Sequence, residues 1–502
     1  MAAATRSRTR SKASLWPSLP TELRLMILKI VSSQRFPGWG SLASVCKEWQ
    51  GALEKDNFRK MNLGVSCLDD FERFATPQKR ELIRHIYLNV ELPRYTPTCC
   101  PKRGLPLETK RTPSLRDGRI VSGGIKKLFS ILSTWRPANH LALEINVYSP
   151  SDCEHWFKNI YLSSDNVEYD GDDTMPDVWR AGSRYHDLEH GWWHGQQVRR
   201  PPKADLLRLF RPMRSAALGN LPRVKAVTCL IIRRQLRRCI PPQGLGQLLS
   251  SFDRLQHIVY EPWDEIDLAI AMRNNLPHTL TRLIVFEDSY KFYDPKQPTY
   301  IPSPYSSGYY PGALPSAVFA SKTPNLQHLA ISFMVNAEEL FRHCRSTWSW
   351  LRLESLALTS ELLQDDWGKR EQLENLLCRA SVLVQKMPKL RTLVLWNGGK
   401  EHACAFIYRV GRDSASITWR GTWRLWLTPR VVKSWQLAAS KLPCSEYSEL
   451  QIKEERIEGV INSHGDAIYH LRLPCQVVEP ASLWQIRREG YSLAQPFIQP
   501  PS

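Results

Sequence analysis

The sequence predicts a mixed α/β chain: a short helical unit at the N-terminus, a long strand–helix repeat, and a small C-terminal α+β unit. Three observations predict it. Apolar residues recur at helical spacing in the first sixty residues; an L-x-x-L-x-L frame recurs through the body; and two alternating runs flank a Gly/Asp turn near residue 411. With 502 residues, 42% of them hydrophobic, the chain can bury a large core without disulfide or metal staples. Lys and Arg number 68 against 49 Asp and Glu, a formal net charge of +19.

Several classes fall away. No apolar run approaches the roughly 20 residues that a membrane span needs. No apolar stretch follows the basic residues Arg6, Arg8, Arg10 and Lys12, so no secretory leader is expected. The 12 cysteines form no CxxC pair. Scattered single thiols read as reduced, which places the chain in the cytoplasm or the nucleus.

The elements follow in order. Residues 1–14 are small, polar and basic, a disordered tail. SLPTELRLMILKIV sets Leu19, Leu23, Ile27 and Ile30 at helical spacing, with Leu28 and Val31 widening the stripe. Pro20 suits the first turn, where its missing N–H costs nothing. SSQRFPGWG ends that helix. A second amphipathic stretch, SLASVCKEWQGAL, puts Leu42, Val45, Cys46, Trp49 and Leu53 on one face. A short third helix is read in DNFRKMNL, through Phe58 and Met61. Three helices this short cannot bury all their apolar surface on each other, so the remainder is a partner site.

Here the residues resemble a known family. The LPxEL start, Ile27-Leu28, the LxxVCKxW helix and a closing aromatic at Phe58 make residues 15–63 similar to an F-box. That resemblance implies docking on the Skp adaptor of a cullin–RING ubiquitin ligase. It also implies anchors at Leu19, Pro20, Ile27, Leu28, Val31, Leu42, Val45 and Trp49, with Trp49 the candidate hot spot. Some apolar residues of the unit pack inside it instead; Leu23 and Ile30 are the first named for that role, and the sequence does not sort the two sets.

The body, residues 64–400, repeats an apolar frame. Its clearest copies are Leu280/Leu283/Val285, Leu326/Leu329/Ile331, Leu353/Leu356/Leu358 and Leu390/Leu393/Leu395. Period-two alternation argues strands, and helical stretches such as KREQLENLLCRASVLVQKM lie between copies. Strand plus helix, repeated, is the leucine-rich-repeat plan. Leading positions at Leu255, Leu280, Leu326, Leu353 and Leu390 are irregularly spaced, by 25, 46, 27 and 37 residues. This resembles the degenerate leucine-rich repeats that follow F-boxes in fungal proteins, and an irregular solenoid is expected. The alternative is a non-repeat α/β domain whose buried parallel strands look alike.

Two insertions, at about 163–200 and 289–315, lack any period and are read as long loops, the first one mobile. Between Arg199 and Arg238 stand twelve Lys or Arg against the single acid Asp205. Such a window suits an acidic or phosphorylated target, with Arg233, Arg234, Arg237 and Arg238 as the candidate contacts. Residues 401–502 read as an α+β cap over the open end of the repeat sheet. It comprises a hairpin around GRDSA, the helix RVVKSWQLAASKL, and a strand pair near AIYHLRLP and SLWQIRRE. This segment resembles the C-terminal part of a fungal F-box family that carries no assigned activity.

Catalytic patterns are missing: the sequence has no GxxxxGK[ST], GxSxG or HExxH. His186, His190 and His194 are four apart, but Gly191 and Gly195 interrupt a helix there, so no metal is assigned and no cofactor is expected. The chain therefore reads as a non-enzymatic substrate receptor of a Skp–cullin–F-box ligase, presenting a protein target through its body, with no membrane association. The alternative is a nucleic-acid or chromatin-binding scaffold that uses residues 199–238.

Overall fold

The computed structural model describes residues 16–34, 39–95, 115–136, 140–158, 186–193, 195–199, 201–210, 213, 218–263, 268–288, 313–411, 414–441 and 450–493. The basic tail and nearly all of the Tyr/Pro insertion lie outside these residues. Helix α1 (Thr21–Gln34) and helix α2 (Lys47–Arg59) open the chain, each preceded by a short 3-10 turn. The third N-terminal helix does not form. Phe58 closes α2, and Met61 lies in strand β1 (Lys60–Gly64), which pairs in parallel with β2 (His85–Glu91). A run of five residues is too short for periodicity to separate strand from helix, and the sheet edge decides.

From β1 onward the strands build one twelve-stranded sheet. Helices α3 (Leu68–Phe74) and α4 (Pro77–Arg80) precede β2, and α5 (Leu115–Ser133) leads to β3 (Leu141–Tyr148). A two-stranded hairpin, β4 (Trp192–Trp193) and β5 (Gln196–Gln197), stands apart. After α6 (Lys203–Phe210), the sheet resumes with β6 (Val227–Ile232), α7 (Pro242–Ser250), β7 (His257–Tyr260), α8 (Leu268–Asn275) and β8 (Arg282–Phe286). It continues through α9 (Ala313–Lys322), β9 (His328–Asn336), α10 (Ala337–His343), β10 (Ser355–Thr359), α11 (Arg370–Val384) and β11 (Thr392–Gly399). Each strand lies beside its predecessor, and all pairs up to β11 are parallel.

The leucine frame sets this register. Ile86, Leu143, Leu230, Ile258, Leu283, Leu329, Leu356 and Leu393 are successive cross-strand partners, all buried on one face. A one-residue slip in any strand would turn its ladder residue to the other face. The helices cover this ladder because their apolar residues recur at i, i+3, i+4 and i+7: Leu373, Leu376, Leu377, Ala380 and Val384 in α11, and Val121, Ile125, Leu128 and Leu132 in α5.

The sheet is not a solenoid, which corrects the expectation of a repeat array. A solenoid stacks like units that touch only their neighbours. Here strands vary from four to nine residues, and the last two helices return across the opposite face of the central strands. The C-terminal segment also departs from expectation. The hairpin forms as β12 (His402–Val410) and β13 (Ala415–Gly421), but with β14 (Leu450–Arg456) it extends the sheet instead of covering its end. Edge strand β14 is largely exposed, and charges at Lys453, Glu454, Glu455 and Arg456 discourage further pairing.

Helix α12 (Pro429–Ser440) joins the helical layer beside α11. The expected final strand pair is two helices, α13 (His464–Leu471) and α14 (Pro480–Leu493). Ser463 caps α13 by accepting the Asp466 N–H at 3.2 Å. Ala467, Ile468 and Leu471 then bury against the second face of the sheet, with Val394, Trp396 and Ala405 in the same cluster. Close approach requires glycine at position 398, where a Cβ would collide with Ala467. Residues 163–185 of the first insertion lie outside the described residues, while its far end is packed rather than a loose loop. Trp192 is buried, and Gln197 Nε2 donates to the Trp156 carbonyl at 2.9 Å.

Candidate functional site

Two places carry unusual chemistry, and the first is the N-terminal pair of helices. Trp16 anchors them: its indole N–H donates to Glu48 at 2.9 Å, and its ring meets Trp49 at 5.3 Å. Arg24 on α1 pairs with the same Glu48 at 3.2 Å, tying α1 to α2. Only Leu28 and Ser32 on α1, and Leu53 on α2, are buried. Much of the remaining apolar surface faces solvent. Leu23, Leu25, Met26, Ile27, Ile30 and Val45 are all exposed, Met26 by 57% and Val45 by 60%. Among the described residues sixteen large apolar side chains are exposed, and six fall within this short segment.

The expected anchors therefore divide. Pro20, Ile27 and Val45 are exposed, while Leu19, Val31, Leu42 and Trp49 are half-buried. Leu28, at 2% exposure, belongs to the interior and is not an accessible anchor. Leu23 and Ile30 lie outside, reversing the interior role first named for them. Leu25 and Met26 escaped the stripe because they sit off it. The signal was present nonetheless: between Leu23 and Val31 only Arg24 and Lys29 are polar, and a helix apolar nearly all round must be covered by something.

The second place is the loop after β6. Arg233, Arg234, Arg237 and Arg238 are each at most 4% exposed, so they form no basic surface, which corrects their assignment as target contacts. Each guanidinium finds a carboxylate within the chain. Arg233 donates to Glu144 of β3 at 2.6 Å, and Arg238 donates to Asp152 at 2.6 Å. Arg234 reaches Asp288 at 2.6 Å and Glu489 of α14 at 2.8 Å, and Arg237 shares that Glu489. Trp263 lies beneath both Arg234 and Arg237, 4.5 Å from each guanidinium carbon to the ring centroid.

Electrostatics follow the pairing. Burial pushes Glu144 up, but Arg233 and His85 outweigh it and hold the carboxyl below its ordinary value. Burial opposes ionisation of Glu489 too, and Arg234 and Arg237 reverse it in the same way. Glu261 differs, because no guanidinium is among its hydrogen-bond donors. Burial raises it to about 7 against the hydrogen bonds from Ser482 and from the Glu479 and Arg234 backbone N–H groups. These carboxylates escaped the sequence reading because they lie 54 to 255 residues from the arginines they neutralise. One clue was legible: Glu144 interrupts the apolar strand LALEINVY, and a charge in a buried strand needs a partner.

The histidine cluster resolves into a packed corner. Asp187 accepts from the backbone N–H of His190 and lies 2.8 Å from its Nδ1, while the His155 ring stands 4.6 Å from that of His190. Gly191, with φ of 73°, ends the turn. His194 lies outside the described residues. Among the described residues no three His, Cys, Asp or Glu side chains converge as metal ligands, and no helix is long and apolar enough to cross a membrane.

Over residues 275–479 the chain is similar to a family of unknown function, DUF6546. The match runs from the last residue of α8 to the residue before α14, so both the N-terminal helices and the arginine loop fall outside it. No curated protein matches the chain.

Proposed function

We propose that this chain is a non-enzymatic substrate-recognition subunit of a Skp–cullin–F-box ubiquitin ligase. Its N-terminal helices bind the Skp adaptor, and its α/β body holds a protein target. The observation that supports this reading is the exposed apolar surface of α1 and of Val45, where a water-exposed cluster is stable only if a partner covers it. It coincides with the segment whose residues resemble an F-box. The role of the body is proximity: holding a target beside the ligase raises the effective concentration of its lysines. The scaffold alternative loses support, because four of the twelve cations in its basic window are spent on internal carboxylates.

Co-purification tests it. The full chain should bring down purified Skp adaptor, and the double substitution Met26→Glu/Ile27→Glu should weaken the complex about 30- to 1000-fold, the loss of a central hot spot. Both side chains are exposed, so the melting temperature should barely move. Adaptor capture at wild-type strength by the double variant would remove the reading.

A further inference from the structure

One residue before the leucine ladder, the opposite face of the sheet carries a polar row. His85, Ala142, Cys229, His257, Arg282 and His328 are successive cross-strand partners from β2 to β9. At about 4.8 Å per strand this row spans about 24 Å. Most of it floors a cavity of about 660 Å³, walled by Lys55, Asp56 and Arg59 of α2 and by Arg84 and His140 at the starts of β2 and β3.

Charge singles this cavity out. Four permanent cations line it, Lys55, Arg59, Arg84 and Arg282, against one carboxylate, Asp56. None of the four is ion-paired among the described residues, in contrast to the arginines at the other end of the same strands. Arg282 donates through Nη2 to Gln476 at 2.9 Å, but its Nε and the Nε2 of His257 have no hydrogen-bond partner. At His257 burial first, then the charges of Arg282 and His328, drive the imidazole down to about 4, whereas at Cys229 burial comes first and the carboxylates Glu479 and Glu144 act against Arg282. Nearby Glu144 is committed to Arg233 and His85. Between the two cationic ends, Thr228, Cys229, Gln256 and Thr281 offer uncharged polar and thiol groups.

We propose that this cavity binds a small organic phosphate. Its volume lies in the range of small-molecule sites, and three guanidinium groups offer the planar donor forks that suit phosphate oxygens. An excess of three positive charges calls for a ligand with at least two negative ones. The site shares α2 with the proposed adaptor-binding unit but uses none of the exposed apolar residues of α1, so Met26→Glu/Ile27→Glu should leave bisphosphate binding unchanged.

Isothermal titration of the full chain with fructose 1,6-bisphosphate, with fructose, and with a phosphoserine peptide tests it. The bisphosphate should bind and fructose should not. Arg84→Gln and Arg282→Gln, each checked for an unchanged melting curve, should each weaken binding about 10- to 100-fold. Arg84 makes no side-chain bond to the rest of the described chain, so it keeps the test sound should loss of the Gln476 contact unfold the Arg282 variant. Absence of bisphosphate binding, binding by both variants at wild-type strength, or binding of the peptide alone would each overturn the proposal.

Discussion

Helix α1 and the loop after β6 each invert the usual distribution of side chains, in opposite senses. The helix holds Leu25, Met26, Ile27 and Ile30 in water; the loop holds four arginines in the interior. Each inversion demands a partner, and the difference lies in where that partner comes from. For the loop it comes from the same chain, as Glu144, Asp152, Asp288 and Glu489. For the helix nothing among the described residues covers the apolar face, and under the proposed function a second protein does. A charge that finds its counterion in the chain serves the fold, whereas an apolar face left open is, in the proposed function, a surface for assembly.

The two regions should differ most at Glu489. Glu489→Ala removes the shared acceptor of Arg234 and Arg237 in the interior, and should cost about 3–5 kcal/mol in denaturant unfolding. Met26→Glu on α1 should cost under about 0.5 kcal/mol in the same assay. Similar costs for the two variants would erase the distinction.

Glu261 sharpens it by pH. Its carboxyl keeps a proton in the folded chain that the unfolded chain has released, so it lowers stability as pH rises from about 4.5 to about 7, by about 3 kcal/mol, with no further change above. Glu144 and Glu489 act in the other window. Their folded values are depressed, so the stability they add is present above about pH 4.5 and is lost as pH falls through those lowered values. Glu261→Gln should therefore flatten the decline between about pH 4.5 and about pH 7 and leave the acid limb in place. Equal slopes in wild type and variant would show that Glu261 is ionised throughout.

Much of the fold was legible in the sequence, because the leucine frame is a local signal. Strands β8 to β11 stand where Leu283, Leu329, Leu356 and Leu393 predicted them, and the hairpin of β12 and β13 formed around its Gly/Asp turn. The failures share a physical cause. Met61 joined a strand and Ile468 a helix because a tertiary surface, sheet edge in one case and sheet face in the other, overrode an ambiguous short pattern. A covered second face also cannot be read from strand spacing, since it depends on Ala467 meeting Gly398 about seventy residues away in sequence. Of the candidate site, the apolar character of α1 was readable, but which residues face out was not. Leu28 and Ile30 differ only in which side of the helix the rest of the chain occupies.

In the proposed function α1 is completed by another protein, and the arginine loop by its own chain. Hydrogen–deuterium exchange of the full chain, with and without the Skp adaptor, tests it most directly. Adaptor should slow exchange across residues 19–49 and leave 233–238 and α14 unchanged, the latter being protected in both states. Unchanged exchange in α1 at saturating adaptor, or new protection confined to the arginine loop, would contradict the account.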